Sequence, residues 1–158
     1  MGSGSGKGIL AASLVYPFPK CVGIEYLHGL NQLGLEMIKY HSETFPEIFK
    51  TNTTVFEGFK KIPELHCLEG DFLKFSWEEA SLILANSTCF SSELLTAIGL
   101  KADQECKVGT IIVTFSKTLF GLSTDWTIMN GFRRLMTWGI ATVYIHIRKT
   151  KKDFDSIE

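Results

Sequence analysis

The sequence predicts an α/β domain in which strands and helices alternate before the chain ends in an antiparallel hairpin. Three observations predict this. Short apolar or β-branched runs recur at Lys20–Glu25, Leu65–Leu68, Ser81–Asn86 and Thr110–Phe115, with stretches of helical periodicity among them. Turn residues fall at the junctions, at Pro17, Pro19, Pro63 and Gly70. Finally, Trp126–Thr137 and Ala141–Lys149 flank Trp138-Gly139 with no helical stretch between them, the pattern of two antiparallel strands. At 158 residues, 45% hydrophobic and 21% charged, the chain is expected to form one domain spanning 1–158.

Each element follows from its local signals. Lys7–Val15 is an apolar run after a glycine-rich opening, and Pro17 and Pro19 stop it, so a helix is predicted there. Lys20–Glu25 then reads as a buried strand. Leu27, Leu30, Leu33, Met37 and Ile38 recur at helical spacing and predict a helix over Leu27–Tyr40; Phe45–Lys61 is an insertion or a continuation of it before Pro63. Leu65–Leu68 is a strand ending at Glu69-Gly70-Asp71-Phe72, Ser81–Asn86 a second buried strand, Ser91–Ile98 a helix and Thr110–Phe115 a third β-branched run. Repeated strand–helix units of this kind build a layered sheet covered by helices.

Composition narrows the function classes. No apolar run reaches the length of a membrane span and no charged-then-apolar signal segment opens the chain, so an intracellular protein without a membrane partner is expected. A net charge of -1 supplies no autonomous nucleic-acid footprint. The short basic end Arg148, Lys149, Lys151 and Lys152 reads as a solvated strand terminus. Cys21, Cys67, Cys89 and Cys106 form no C-x-x-C pair, and His28, His41, His66 and His146 form no H-E-x-x-H, so buried reduced thiols are expected rather than a metal site. No paired carboxylates and no Ser-His-Asp spacing stand out, and Trp77-Glu78-Glu79 reads as a solvated helix or turn.

The chemistry concentrates in the first residues. A glycine loop opening a helix lets backbone N–H groups approach a ligand without interference from a Cβ. An acid at the end of the next strand, here Glu25, supplies a carboxylate for two ribose hydroxyls. Spacing selects among cofactors. The dinucleotide pattern G-x-G-x-x-G fails at Lys7 from Gly2 and at Ile9 from Gly4, and the phosphate loop fails because Gly8 stands where Ser or Thr should hold magnesium. Gly2, Gly4 and Gly6 fit G-x-G-x-G, the pattern of enzymes that bind S-adenosylmethionine. The same residues also match an expression linker, although their register with the helix start and with Glu25 favours the cofactor loop.

Further candidates fall at strand ends, where an α/β sheet binds its ligands. Asp71 can accept from an adenine amino group while Phe72 packs on the ring. Asn86 can hold an acceptor amine or the methionine part of the cofactor, and Phe90 can wall a channel. Trp138, Tyr144 and His146 read as core or sheet-face residues.

Taken together, Gly-Ser-Gly-x-Gly, Val22-Gly23-Ile24-Glu25, Glu69-Gly70-Asp71-Phe72-Leu73, Leu84–Phe90 with Glu93-Leu94, Val108–Val113 with Ser116-Lys117, and Thr137-Trp138-Gly139 with Tyr144-Ile145-His146 resemble the catalytic core of the disruptor-of-telomeric-silencing methyltransferases. These are histone lysine methyltransferases without a SET domain. The resemblance implies a Rossmann-like methyltransferase fold, a three-layer sandwich with a mostly parallel sheet and a C-terminal antiparallel hairpin. It implies S-adenosylmethionine as cofactor, held by Gly2, Gly4, Gly6, Glu25, Asp71, Phe72 and Asn86, with Asn86 and Phe90 at the transferred methyl. It also implies a protein-lysine acceptor, a histone in a nucleosome, and a nuclear location. A different protein or a small molecule as acceptor, or a non-catalytic remnant of the fold, are the alternatives.

The sequence departs from the family in lacking an acid and a strand before Gly2, in lacking the upstream helical region, and in carrying Val143-Tyr144 where a tyrosine pair is expected. The absent strand would be the central one. About five buried side chains at roughly 1.5 to 3 kcal/mol each would contribute about 7 to 15 kcal/mol, comparable with the whole stability of a domain. A truncated chain of low stability and weak cofactor affinity is therefore expected.

Overall fold

The computed structural model describes residues 1–52, 54–59, 61–137 and 139–149. Trp138, Lys151 and Lys152 lie outside the described residues. The element order is α1 (Lys7–Val15), β1 (Lys20–Glu25), α2 (His28–Thr51), β2 (Glu64–Glu69), β3 (Leu82–Ala85), α3 (Ser92–Glu105), β4 (Ile111–Phe115), β5 (Trp126–Met136) and β6 (Gly139–Arg148), with single 3-10 turns at Phe72–Lys74 and Ser87–Cys89. The chain divides into two compact units, Met1–Phe72 and the residues from Leu73 onward.

In the first unit β1 and β2 run parallel, with Cys21 opposite Leu65 and Gly23 opposite Cys67. Alternation places Cys21, Gly23, Leu65 and Cys67 on one face. Ile9 of α1 joins Cys21 and Cys67 in a buried cluster with Ala12, Phe18, Ile38 and Leu65 packed around it. Burial pushes the Cys21 and Cys67 thiols above their usual range, as suits inert core residues. Two glycines allow this close packing. A Cβ on Gly23 would lie 2.4 Å from Ile9 Cδ1 and 2.7 Å from Ser3 Cβ, and one on Gly34 of α2 would lie 2.7 Å from Cys67 Sγ.

The helix predicted to end at Tyr40 runs on to Thr51, through Pro46. Proline removes the N–H that would bond the carbonyl four residues earlier, which ordinarily ends or kinks a helix. Packing offsets that loss here. His41 stacks on Phe45 at 4.4 Å, and Phe45, Phe49, Phe56 and Phe59 form a chain of ring contacts at 5.2 to 6.4 Å. Turns rather than helix follow Asn52.

In the second unit the strand order is β3-β4-β6-β5. β3 and β4 are parallel, whereas β6 is antiparallel to both β4 and β5. Across the two sheets parallel and antiparallel pairings are therefore balanced, which corrects the expectation of a mostly parallel sheet. The cause is that β6, the second strand of the hairpin, docks against β4. The hairpin has the expected partners and is bulged between Met129 and Phe132. At the bulge a Cβ on Gly131 would lie 2.6 Å from both Thr142 Cγ2 and Tyr144 Cε1.

Helix α3 extends past the predicted Ile98 to Glu105. Its N-terminus is capped by Ser91, whose hydroxyl accepts from Leu94 N. Its C-terminus is held by β6, because Arg148 Nη1 donates to the carbonyls of Ala102 (3.2 Å), Asp103 (2.8 Å) and Cys106 (2.5 Å). A cation donating to the last carbonyls satisfies orphan acceptors and complements the helix dipole. His146 is fully buried and bridges three segments, with Nδ1 donating to Ile112 O at 3.1 Å and Nε2 accepting from Leu119 N at 3.2 Å. These bonds fix a neutral imidazole, and burial holds its pKa below the usual value. His146 is thus a core residue, as the sequence predicts.

Candidate cofactor loop and strand-end residues

The glycine loop, the end of β1 and the end of β2 meet in the first unit. Ser3 N donates to Ile24 O at 3.1 Å, which lays the loop along the edge of β1. Gly2, Gly4 and Gly6 all have positive φ, at 62, 56 and 83°. L side chains rarely adopt such a backbone, which is the physical reason for glycine at each position. Gly6 is the N-cap of α1, and a Cβ there would lie 2.5 Å from Met37 Cε. At Gly2 and Gly4, by contrast, an added Cβ would meet nothing within 4 Å. The outer face of the loop is therefore an open cradle at a helix N-terminus, the environment that receives a polar ligand group.

Glu25 is buried, and both its carboxylate oxygens are engaged. Oε2 accepts from Gly4 N at 2.8 Å and Oε1 from Leu27 N at 3.0 Å. The carboxylate thus ties the loop to the start of α2. Gly70 N donates to Glu25 O at 2.9 Å, which brings the turn leading to Asp71 alongside the end of β1. Asp71 and Phe72 are half-buried, and Phe72 opens the 3-10 turn that follows. The structure therefore brings Gly4, Glu25 and the Gly70-Asp71 turn together. His28 Nδ1 and Glu69 Oε2, 2.8 Å apart, add an exposed pair between the first turn of α2 and the end of β2.

This arrangement fits S-adenosylmethionine: the open cradle over Gly2 and Gly4, a buried carboxylate at the end of β1, and an acid after β2. Gly23 and Gly34 are contributors that the motif reading missed. Gly23 sits inside strand β1, where a glycine marks close approach of another segment, but which segment approaches it, and the contact of Gly34 in α2 with Cys67, depend on the fold.

The second unit holds Asn86 and Phe90 at the carboxyl end of β3. Asn86 is exposed and precedes the 3-10 turn Ser87–Cys89. Its Oδ1 lies 3.5 Å from Thr88 Oγ1. The neighbouring Ser87 is fully buried; its hydroxyl donates to Phe115 O at 2.8 Å and accepts from Phe115 N at 3.0 Å, pinning this turn to the end of β4. Lys117 Nζ donates to Phe90 O at 2.8 Å, and Thr88 and Ser116 hydroxyls lie 3.3 Å apart. Ser116 has φ 64°, and no other described non-glycine residue has positive φ. A strained residue beside the candidate turn was not legible from the sequence pattern. Tyr144 is half-buried opposite Thr114. No group of three or more potential metal ligands occurs among the described residues.

No family model and no curated protein matches the sequence. Solved structures do match its fold. An RNA methyltransferase from Salinibacter ruber, in complex with S-adenosyl-L-homocysteine, aligns with a TM-score of 0.59 and 16% identity, covering 95% of this chain and 78% of that one. The Escherichia coli protein yhhF, assigned as a methyltransferase, aligns at 0.57 and 13%, covering 94% and 73%. The S-adenosylmethionine-dependent methyltransferase SibL, in its apo form, aligns at 0.56 and 15%, covering 94% of this chain and 49% of its own. At these identities the likeness is one of architecture, and the chain has the fold of S-adenosylmethionine-dependent methyltransferases.

Proposed function

We propose that the chain is an S-adenosylmethionine-dependent methyltransferase core. The observation that carries this reading is the Glu25 carboxylate bonded to Gly4 N beside an open glycine cradle at the start of α1. Gly2, Gly4 and Gly6 would receive the cofactor along the backbone, Glu25 its ribose hydroxyls, and Asp71 with Phe72 its adenine. When bound, the cofactor supplies an activated methyl group on a sulfonium, and the protein supplies alignment and exclusion of water.

For the acceptor, the family resemblance supports a lysine amine on a histone-type protein, with Asn86 and Phe90 as the residues of the second unit assigned to it. A lysine with a pKa of about 10.4 is protonated at neutral pH, and removing its proton costs roughly 4 to 5 kcal/mol unless desolvation lowers that value. Phe90 would contribute apolar surroundings, and Asn86 a polar amide to orient the amine. A second acceptor class, RNA, is supported by the Salinibacter neighbour being an RNA methyltransferase. Transfer of labelled methyl from S-adenosylmethionine to core histones, nucleosomes, total RNA and a small-amine panel separates these readings. Label on histone lysine that falls at least tenfold in Asn86→Ala or Phe90→Ala supports the lysine reading. Label confined to RNA replaces it, and no label on any acceptor favours a non-catalytic fold.

A further inference from the structure

We propose that the tip of the β5–β6 hairpin docks on an anionic lipid surface. Leu135 and Ile140 are directly opposed across the ribbon and share one face. They are 83% and 62% exposed. Arg133 and Arg134 follow immediately behind Leu135, and because successive strand residues point to opposite faces, each face of the ribbon carries one guanidinium. At about 3.3 Å per residue these charges sit roughly 3 to 7 Å behind the aliphatic pair.

Neither arginine is in an ion pair among the described residues. Arg134 Nη1 donates to Arg133 O at 3.0 Å and its guanidinium lies 4.6 Å from the Phe132 ring centre, so the charge is held along the ribbon. From Trp126 to Lys149 the sequence has four basic side chains and no acidic one, in a chain of net charge -1. In the half of the hairpin nearest its turn, 132–141, Arg133 and Arg134 are the charged residues and none is acidic, and both lie behind the exposed Leu135–Ile140 pair, which precedes the turn.

The order of these groups selects the occupant. In a surface entered tip first, Leu135 and Ile140 pass into the boundary of the acyl region while both guanidiniums arrive at the phosphates. A nucleic acid approaching from the turn would meet the aliphatic pair before either guanidinium, and the Phe132 face that could stack on a base is already covered by Arg134. The sequence expectation of no membrane partner rests on the lack of a spanning segment, and no described helix is long and apolar enough to cross a membrane. Surface docking needs no span.

The test uses the full chain with phosphatidylcholine vesicles, with or without phosphatidylglycerol, in a flotation assay at low and high salt. The expected result is salt-sensitive binding to the anionic vesicles and little to the neutral ones. Arg133→Gln with Arg134→Gln should weaken anionic binding by about fivefold per arginine, about 25-fold together. Leu135→Ser with Ile140→Ser should weaken it by about tenfold or more. Both pairs are exposed, so an unchanged melting temperature accompanies the expected loss. Three results would each overturn the proposal: equal binding to both vesicle types, anionic binding that neither variant weakens, or binding to an RNA oligonucleotide with none to vesicles.

Discussion

Replacing Ser87 by alanine is expected to destabilise the second unit more than its small size suggests. The hydroxyl is fully buried and serves Phe115 twice, donating to its carbonyl at 2.8 Å and accepting from its N–H at 3.0 Å. Alanine keeps the shape of the side chain to within one atom but leaves both backbone groups without their partner. A buried polar group orphaned in this way costs about 1 to 3 kcal/mol, and because Phe115 is only half-buried the pair should cost the lower part of twice that, about 2 to 4 kcal/mol. For a chain of this size that corresponds to a fall in melting temperature of about 5 to 15 °C. Urea unfolding followed by circular dichroism measures the change directly, and the slope with urea should stay constant if only stability has changed. A loss below about 0.5 kcal/mol, the level of an ordinary surface substitution, would refute the claim that Ser87 fastens the Asn86 turn to β4.

Other consequences follow from the same geometry. Gly23→Ala places a methyl where Ile9 and Ser3 already stand; it should cost about 1 to 3 kcal/mol by denaturant titration and displace the glycine loop, with weaker cofactor binding by calorimetry. Arg148→Met removes the donor to three carbonyls at the end of α3, and should cost about 2 to 3 kcal/mol in the same titration. His41 and His146 are buried with pKa values held below the ordinary 6.5, in each case by burial first. The unfolded chain therefore binds protons that the folded one does not. The stability these residues contribute is present above pH about 6.5 and declines as pH falls below it toward the lower folded values. His146→Gln should flatten that acid limb of the stability profile, and an unchanged limb would count against a buried neutral imidazole.

The sequence was most legible where backbone chemistry is local. Pro17 and Pro19 fix the end of α1, and the glycine run fixes its start, so Lys7–Val15 and Lys20–Glu25 form as read. The sequence left the choice between insertion and continued helix open where tertiary packing overrides a local rule. Pro46 argues for a helix break, but the rings of His41, Phe45, Phe49 and Phe56 bury the second half of α2 and keep it continuous. The hairpin could be read from two strand-like segments around Gly139, yet nothing local states that β6 rather than β5 pairs with β4. In the candidate site, the spacing of the loop glycines and Glu25 predicts their approach, and Gly4 N donates to Glu25 Oε2. The contact roles of Gly23, Gly34 and Ser87 depend on segments far apart in sequence and emerge only in three dimensions.

The central claim is that Glu25 and the glycine cradle form a cofactor site, and calorimetric titration of the chain and of Glu25→Gln with S-adenosylmethionine tests it most directly. In the variant an amide nitrogen must face one of the two N–H donors from Gly4 and Leu27. The loss of a hydrogen bond to a charged group is worth about 1.5 to 3 kcal/mol, so affinity should fall about 10- to 100-fold. Saturable binding by the parent chain with that loss in the variant is the predicted result. Equal affinity in the two proteins, or no binding by the parent chain, would contradict the account.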